Sequence, residues 1–334
     1  MTSARRYDES DVRIRPNRKG SRPRTKERPA HKDAVIGFVT GVDRGRRTVL
    51  VDGRTVIAMR ARELGRQSIV VGDRVALVGD TSGAEGTLAR IVRIEERSSV
   101  LRRTADDTDP VERVIVANAD QLVIVTALAD PEPRPRMVDR CLVAAYDAGM
   151  DPLLVLTKAD LRPAEDFLSR YAPLDVPYVV TSVTQDGIAG LEEVHEQLVD
   201  RVSVLVGHSG VGKSTLVNAL VPGSERAIGH VNAVTGRGRH TSTSAVALAL
   251  KEGGWVVDTP GVRSFGLAHV DPTKIVKLFP DLEPGTAECP RGCTHDEEEC
   301  ALDDWVAAGH AGPAGPSRLE SLRRLLRSRS GESE

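Results

Sequence analysis

The sequence predicts a multi-domain α/β protein with a small β-barrel, a larger layer of alternating strands and helices, and a short helical segment that carries cysteines. Three observations predict this fold class. Short alternating strands between glycine and aspartate turns fill residues 34–96. Strand and helix patterns then alternate over residues 97–268. Beyond them, residues 269–334 hold three of the four cysteines and end in a basic helix.

Length and composition fit an ordinary globular protein. The chain has 334 residues, of which 40% are hydrophobic and 28% charged, so two or three domains with real cores are expected. We find neither an apolar run long enough to span a membrane nor the apolar segment of a signal peptide. These features predict a cytoplasmic protein whose cysteines are thiols or metal ligands rather than disulfides.

The net charge of -2 conceals two basic ends. Residues 5–32 and 318–329 are rich in arginine or lysine, and residues 1–33 show no periodicity, which predicts a disordered basic tail. Basic ends on a neutral body indicate phosphate-rich partners. The alternative is a solvated tail with no partner.

Residues 34–96 contain about five short strands within some 60 residues. This density is typical of a small barrel of the OB type, a fold that binds nucleic acids. The alternative is a β-extension that only packs on the next domain.

From residue 97 the pattern is that of a doubly wound α/β domain, in which ligands bind at the carboxyl ends of the strands. The predicted helices cover residues 137–149 and 187–200. The predicted strands cover residues 121–128, 151–157, 178–182, 202–207, 245–250 and 255–258.

The strongest local motif follows the strand at 202–207 and precedes a helix. It fits G-x-x-x-x-G-K-[ST], a phosphate loop whose backbone N–H groups and helix N-terminus hold phosphates. Lys213 is expected to reach the β- and γ-phosphates, and Ser214 to ligate Mg²⁺. The nucleotide-binding residues are Gly207, His208, Ser209, Gly210, Val211, Gly212, Lys213, Ser214 and Thr215.

A second motif predicts guanine as the base. Thr157, Lys158, Ala159 and Asp160 end a buried strand, and a carboxylate at Asp160 can accept hydrogen bonds from both guanine N1–H and the exocyclic amine. Lys158 can pack along the base, and Thr157 occupies a position where asparagine is commoner in GTPases. The strand end at Ser182 is expected to support the guanine oxygen. The alternative for the four-residue match is an ordinary strand-end turn.

Two switch segments follow the phosphate loop. Asp258 ends a strand and is expected to hold Mg²⁺ through water, while the Gly261 N–H senses the γ-phosphate. In the glycine-rich stretch 236–244, Thr241 is the candidate switch threonine for Mg²⁺ and γ-phosphate, with Thr243 as the fallback. A plain flexible loop is the alternative for that stretch.

The order of these motifs is unusual for a GTPase. The guanine motif precedes the phosphate loop, which precedes both switches. A circular permutation preserves the sheet while moving the chain ends, and chain ends on the surface tolerate it. The order also connects the second switch directly to the C-terminal segment.

The C-terminal cysteines form a zinc pattern. Cys289, Cys293, His295 and Cys300 match a closed, four-coordinate structural Zn²⁺ site. The alternative is a set of unrelated reduced thiols. Cys141, alone on a helix, is assigned to the core.

Together these motifs resemble one family, the circularly permuted YjeQ/YloQ type of ribosome small-subunit-dependent GTPase A. The resemblance covers roughly residues 34–327 and includes VANADQ at 116–121 and DTPGVRSFGL at 258–267. It implies an OB domain, a permuted GTPase domain and a small α-helical zinc-binding C-terminal domain. It also implies late maturation of the small ribosomal subunit, contact with its ribosomal RNA, and ribosome-stimulated hydrolysis of GTP to GDP and phosphate. We expect a monomer.

Val262 occupies the position after DTPG where many GTPases carry a water-orienting glutamine. Intrinsic hydrolysis should therefore be slow. His240 is the candidate group for positioning the attacking water, with His208 as the weaker one; the alternative for His240 is a solvent-exposed loop histidine.

Two other function classes stay open: a GTPase of tRNA modification or translation, and an RNA-binding module gated by nucleotide.

Overall fold

A computed structural model describes the chain over residues 31–43, 45–65, 67–103, 112–223, 245–259, 267 and 269–330. Residues from Asp33 onward form one compact unit. Nearly all of the predicted basic tail, residues 1–33, lies outside the described ranges. Among the helices within them, none combines the length and the apolar character that a membrane crossing requires.

Five short strands form the predicted barrel. They are β1 (Val35–Asp43), β2 (Arg46–Val51), β3 (Arg54–Arg60), β4 (Arg74–Gly79) and β5 (Ala89–Ile94). Strand β1 pairs antiparallel with β2 and β4, β2 with β3, and β4 with β5, while β3 and β5 run parallel and close the ring. Alternate side chains fill the interior, and Val39, Val49 and Ile91 are fully buried.

The next part of the chain forms a mainly parallel sheet. Its strands are β8 (Gln121–Ala127), β9 (Asp151–Thr157), β10 (Tyr178–Val180), β13 (Val202–Val206), β14 (Val246–Ala249) and β15 (Trp255–Asp258). Their spatial order is β10-β9-β8-β13-β15-β14, with β14 antiparallel to β15. Gly41 of β1 pairs with Val246 of β14, so eleven strands form one continuous sheet within the described ranges.

Helices cover both faces of this sheet, as the doubly wound pattern predicts. They are α1 (Pro135–Asp147), α2 (Glu165–Ser169), α3 (Leu191–Leu198) and α4 (Lys213–Leu220). Leu122 and Ile124 of β8 lie in one core cluster with α1. Val123 and Val125 point to the opposite face and lie in a second cluster with α3 and α4. Because successive side chains of a strand point to opposite faces, β8 contributes to both cores.

The helix predicted for residues 187–200 is wrong over its first turn. Residues 187–189 form strand β12 (Gly187–Ala189), which pairs with β11 (Ser182–Thr184) in a small hairpin. Gly190 has φ 80°, and a Cβ there would lie 2.3 Å from the carbonyl oxygen of Val180. The helix therefore begins only at Leu191, because Gly190 provides the left-handed turn that ends the hairpin.

A hairpin of β6 (Val100–Arg103) and β7 (Arg113–Ala117) follows the barrel. The Asn118 side chain donates to the Gly72 carbonyl and accepts from the Ser98 N–H, both at 2.8 Å. Asp73, fully buried, pairs with Arg97 at 2.7 Å. The VANADQ segment thus contributes to the seam between the barrel and the larger sheet.

The C-terminal segment contains α5 (Pro272–Val276), α6 (Ala301–Ala307) and α7 (Gly315–Ser330). Helix α7 buries Leu319, Leu322, Leu325 and Leu326. Its arginines form ion pairs with Asp281, Asp303, Asp139 and Asp296. The alternative of a solvated disordered tail is therefore wrong for residues 318–329, because this basic stretch is one side of a packed amphipathic helix.

Candidate functional site

The predicted phosphate loop connects β13 to α4 at the carboxyl edge of the parallel sheet. Strand β13 ends at Val206, and α4 begins at Lys213. Gly207 packs so closely that a Cβ would lie 2.5 Å from the Val125 carbonyl oxygen, and Gly212 has φ 93°. Both positions therefore require glycine. The strand-loop-helix context is the one that a phosphate-binding loop needs.

The side chains of this loop divide into exposed and buried groups. Val211 and His208 are buried, at 1% and 7% exposure. The His208 Nδ1 lies 2.7 Å from the Ser209 carbonyl oxygen, and its Nε2 is buried without a hydrogen-bond partner in the described part of the chain. This geometry fits a residue that shapes the loop. The residues exposed to solvent are Ser209, Gly210, Ser214 and Thr215.

Lys213 and Asp258 lie together, although 45 residues separate them. Strand β15 runs parallel to β13, and Asp258 pairs in register with Leu205 near the start of the loop. The Lys213 Nζ donates to Asp258 Oδ1. The predicted phosphate ligand and the predicted Mg²⁺ carboxylate are therefore neighbours.

Thr259 anchors the start of the second switch, a role that the sequence motif did not reveal. It is 2% exposed, and its hydroxyl donates to the Leu205 carbonyl at 2.9 Å. The DTPG motif includes Thr259, but its contact with Leu205 depends on the parallel pairing of β13 with β15, which a local motif does not show.

The guanine motif lies beside the phosphate loop. Thr157, 7% exposed at the end of β9, donates from Oγ1 to the Val211 carbonyl at 2.6 Å. The Ala159 N–H donates to the Thr181 carbonyl at 3.2 Å, next to Ser182. Asp160 is exposed at the same edge. The motif therefore contacts both the phosphate loop and the strand end next to Ser182.

A loop after β8 completes this edge. Lys158 has φ 60°, and its Nζ donates to the Asp130 carbonyl. A Cβ added to Gly210 would lie 3.6 Å from Pro131 of the same loop. Sequence analysis missed Asp130 and Pro131, although the proline-rich run 131–135 marks a turn after the strand.

Several predicted site residues lie outside the described ranges. These are His240, Thr241 and Thr243 in the first switch, and Gly261 and Val262 in the second. The structure unites the phosphate loop, Thr157, Lys158 and Asp258 at one edge, in the permuted order that the motifs predict.

The four C-terminal ligand candidates converge. The Cys289 Sγ lies 3.6 Å from His295 Nδ1 and 3.9 Å from Cys300 Sγ, and Cys300 Sγ lies 3.9 Å from His295 Nδ1. With Cys293, all four ligand atoms lie within 4.8 Å of one another. A tetrahedron with bonds of about 2.0–2.3 Å has edges of about 3.3–3.8 Å, so this group can hold a metal ion.

Burial shifts the acid–base properties of this cluster. Burial raises the pKa of the Cys293 thiol to about 12 and raises that of Cys300, while burial lowers the pKa of His295. Thiolates here therefore need a compensating positive charge. Cys141 lies apart, 1% exposed in the core as predicted, and burial raises its pKa to about 12.

Neighbouring polar groups hold the metal-binding loop. The Arg323 Nε donates to the His295 carbonyl at 2.8 Å, and its guanidinium pairs with Asp303 at 2.6 Å. The Thr294 N–H and hydroxyl donate to Glu297, and the N–H contact is the main cause that lowers the pKa of this carboxyl to about 2. Helix α7 thus supports the ligand loop through Arg323.

Comparison with known proteins gives consistent matches. The model of the family described as RsgA GTPase matches residues 94–268. A relative from Chlorobaculum tepidum, named small ribosomal subunit biogenesis GTPase RsgA, is 39% identical over 88% of this chain and 98% of its own length. One of the same name from Chlorobaculum parvum is 38% identical over 82% of this chain and 89% of its own.

Two solved structures share the fold. YjeQ from Thermotoga maritima has a TM-score of 0.64 and 28% identity, covering 90% of this chain and 99% of that chain. YloQ, described as a circularly permuted GTPase, has a TM-score of 0.62 and 22% identity, covering 92% of this chain and 99% of its own.

Proposed function

We infer, since the chain belongs to the RsgA GTPase family, that it hydrolyses GTP in the biogenesis of the small ribosomal subunit. The observation that carries this inference is the convergence of guanine motif, phosphate loop and Asp258 at one sheet edge. We further propose that the protein binds the subunit through its ribosomal RNA, acts as a monomer in the cytoplasm and assists late maturation.

The ground state is held by the phosphate loop. Backbone N–H groups of residues 207–215 and the Lys213 ammonium receive the phosphates of GTP. Mg²⁺, when bound with the nucleotide, neutralises developing charge. Ser214, Thr241 and Asp258 would hold it, and Asp258 must first release Lys213, to which it is bonded in this structure. Gly261 would sense the γ-phosphate.

Base selection is assigned to Asp160, with Lys158 along the base and Ser182 near the guanine oxygen. The Thr157 hydroxyl fixes this motif to the phosphate loop, which supports the assignment. Hydrolysis needs a group that orients water, because Val262 has no polar side chain. We assign that role to His240.

The proposed metal is Zn²⁺, since three thiolates and one imidazole in a closed tetrahedron are its preferred structural set. We also propose the domain limits 1–33 for the basic tail, 34–96 for the OB domain, 97–268 for the GTPase domain and 269–334 for the zinc-binding domain. The continuous sheet joins the second and third of these.

The decisive experiment measures GTP turnover with isolated small subunits, with large subunits and without ribosomes. We expect strong stimulation by small subunits alone. Equal stimulation by both subunits would favour a translation GTPase, and binding to small subunits without turnover would favour a nucleotide-gated RNA-binding module.

A further inference from the structure

A cavity of about 740 Å³ lies where the barrel meets the larger sheet. Its volume falls within the range of about 300–1,000 Å³ that small-molecule sites occupy. The barrel contributes the first half of β1, and the sheet contributes the amino ends of β13 and β15. We propose that this seam cavity binds an organic cation, an ammonium or guanidinium group on an apolar stem.

Two aromatic rings form part of the lining. Phe38 of β1 and Trp255 of β15 contact each other, with ring centres 5.0 Å apart and ring planes at 41°. Both side chains are half-buried and line the cavity, so ring surface remains accessible from it. Aromatic rings attract ammonium and guanidinium groups, and tryptophan does so most strongly. The rings also provide apolar surface for the stem of such a ligand.

The carboxylates of the lining outnumber its cationic groups. The charged lining residues are Glu96, Asp120, Asp200, Arg74 and Arg201. The Arg201 guanidinium pairs with Asp151, which lies outside the lining, at 2.9 Å. The other charged lining groups are three carboxylates and one guanidinium, with a formal charge of -2. This balance favours a cation over an anion in the cavity.

These three carboxylates have no ion-pair partner within the described part of the chain. Asp120 accepts one hydrogen bond there, from the Val202 N–H at 2.8 Å. The side chains of Glu96 and Asp200 accept none, and Arg74 forms no ion pair with them. Their oxygens are therefore available to the several N–H donors of an ammonium or guanidinium group.

The carboxylates come from both sides of the seam. Glu96 follows β5 of the barrel, whereas Asp120 precedes β8 and Asp200 precedes β13 of the larger sheet. A cation in contact with Glu96 and Asp200 would therefore connect the barrel to the sheet. Because such a ligand binds only the folded chain, it should raise the temperature of unfolding.

The seam cavity lies at the opposite edge of the sheet from the nucleotide site. Val202 begins β13 and lines the cavity, whereas Val206 ends β13 at the phosphate loop. At ~3.3 Å per residue these two positions are about 13 Å apart. Binding to the cavity can therefore be measured without nucleotide, which also avoids complexes between amines and nucleotide phosphates.

Titration of the nucleotide-free chain with spermidine, at constant ionic strength, tests the proposal. The chain has two tryptophans, so Trp305→Phe leaves Trp255 as the fluorescent reporter. We expect a saturable change in Trp255 emission, one spermidine per chain in isothermal titration, and a higher melting temperature. Trp255→Leu should bind more weakly than Trp255→Phe, because phenylalanine retains a ring.

Two double variants test the role of the carboxylates. Glu96→Gln combined with Asp200→Asn should weaken spermidine binding about tenfold, because two charge-assisted contacts are lost. The control, Glu63→Gln combined with Asp186→Asn, removes the same charge at exposed positions outside the lining and should bind as the wild type. Thermal melts verify that every variant is folded.

Three results would overturn the proposal. They are the absence of a saturable response at millimolar spermidine, wild-type affinity in the folded Glu96→Gln/Asp200→Asn variant, and an equal loss of affinity in both double variants. The last result would show general attraction to an acidic surface.

A second arm identifies the source of the cation. N-acetyl-arginine amide carries one guanidinium, as an arginine side chain of a protein does. Displacement of spermidine by an equal or lower concentration of this amide indicates a protein side chain as the ligand. Displacement only by an excess indicates a free polyamine. Either result supports the cation site, and neither depends on GTP turnover.

Discussion

At Thr157 a hydroxyl occupies the position where GTPases commonly carry an asparagine amide. The hydroxyl is shorter, yet it reaches the Val211 carbonyl at 2.6 Å because β9 brings the backbone close to the phosphate loop. Gly212 lies nearby, since a Cβ there would be 3.7 Å from the Thr157 Oγ1. The Thr157 hydroxyl therefore links the guanine motif directly to the phosphate loop.

Replacing Thr157 with valine keeps the shape and removes this bond. A net hydrogen bond contributes about 0.5–1.5 kcal/mol, so GDP affinity should fall roughly 2- to 12-fold. Thr157→Ser retains the hydroxyl and should bind nearly as the wild type. Titration with a fluorescent nucleotide measures both affinities, and equal affinities in the two variants would show that this hydrogen bond does not contribute to binding.

Guanine selectivity should depend on Asp160. Asp160→Asn replaces one of the two carboxylate acceptors with an amide donor, which suits the carbonyl that xanthine carries in place of the exocyclic amine of guanine. GTP binding should weaken and xanthosine triphosphate binding should improve. Competition titrations with both nucleotides measure the preference, and an unchanged ratio would exclude Asp160 from the base pocket.

His240→Ala should separate binding from chemistry. We propose that Lys213, Ser214 and Asp160 hold the ground state, so GTP affinity should stay nearly intact. The ribosome-stimulated turnover should fall by up to about 10²–10⁴-fold, the range for a positioned acid–base group. Lys213→Ala, the contrasting variant, should instead weaken binding. Normal turnover of His240→Ala on saturating small subunits would show that another group positions the attacking water.

Motif spacing predicted that the phosphate loop, Thr157, Lys158 and Asp258 meet at one sheet edge, because strand ends in a parallel sheet share one side. It did not predict the Thr259 or Asp130 contacts. Those depend on which strands are neighbours and on the path of a loop, neither of which a local pattern contains.

Among the elements, the ligand loop and α7 form one unit. Arg323 donates to the His295 carbonyl, and Arg327 pairs with Asp296 one residue further on. The sequence predicted the four candidate ligands but not the contacts of Arg323 and Arg327 with the ligand loop. The pattern of a basic helix does not show which groups its arginines will contact. The helix predicted over 187–200 was too long for a related reason: helical periodicity does not show the turn at Gly190.

Removal of the metal should unfold this unit. Structural zinc sites contribute about 10–16 kcal/mol of apparent binding free energy at neutral pH. We expect one zinc per chain, lost with Cys293→Ala combined with Cys300→Ala, together with faster amide exchange in α7. Cys141→Ala is the control and should retain the metal. Unchanged zinc content in the double variant would contradict the ligand assignment.

For the whole molecule, the basic composition of residues 1–33 predicts how strongly binding to the small subunit depends on salt concentration. If the basic tail contacts RNA, deleting it should flatten the slope of log affinity against log salt by about 0.7–0.9 per lost phosphate contact. Small-subunit binding measured at several salt concentrations gives the slope. An identical slope in the truncated chain would leave the tail as a solvated segment.

The barrel and the doubly wound sheet could each be predicted from their own strand patterns. Their union into one sheet could not. It depends on one pair, Gly41 with Val246, that joins positions 205 residues apart. Alternation within a strand specifies its buried face, but not the distant strand that its edge will meet.

The position of β15 between β13 and β14 has a consequence for how the chain is made. Strand β1 is translated long before its neighbour β14, and at 5–20 residues per second the wait is roughly 10 to 40 seconds. Throughout that time the edge of β1 that will receive β14 has no partner, and unpaired edges promote aggregation. The permuted gene order thus leaves the centre of the sheet open on the nascent chain until the strand before DTPG is synthesised.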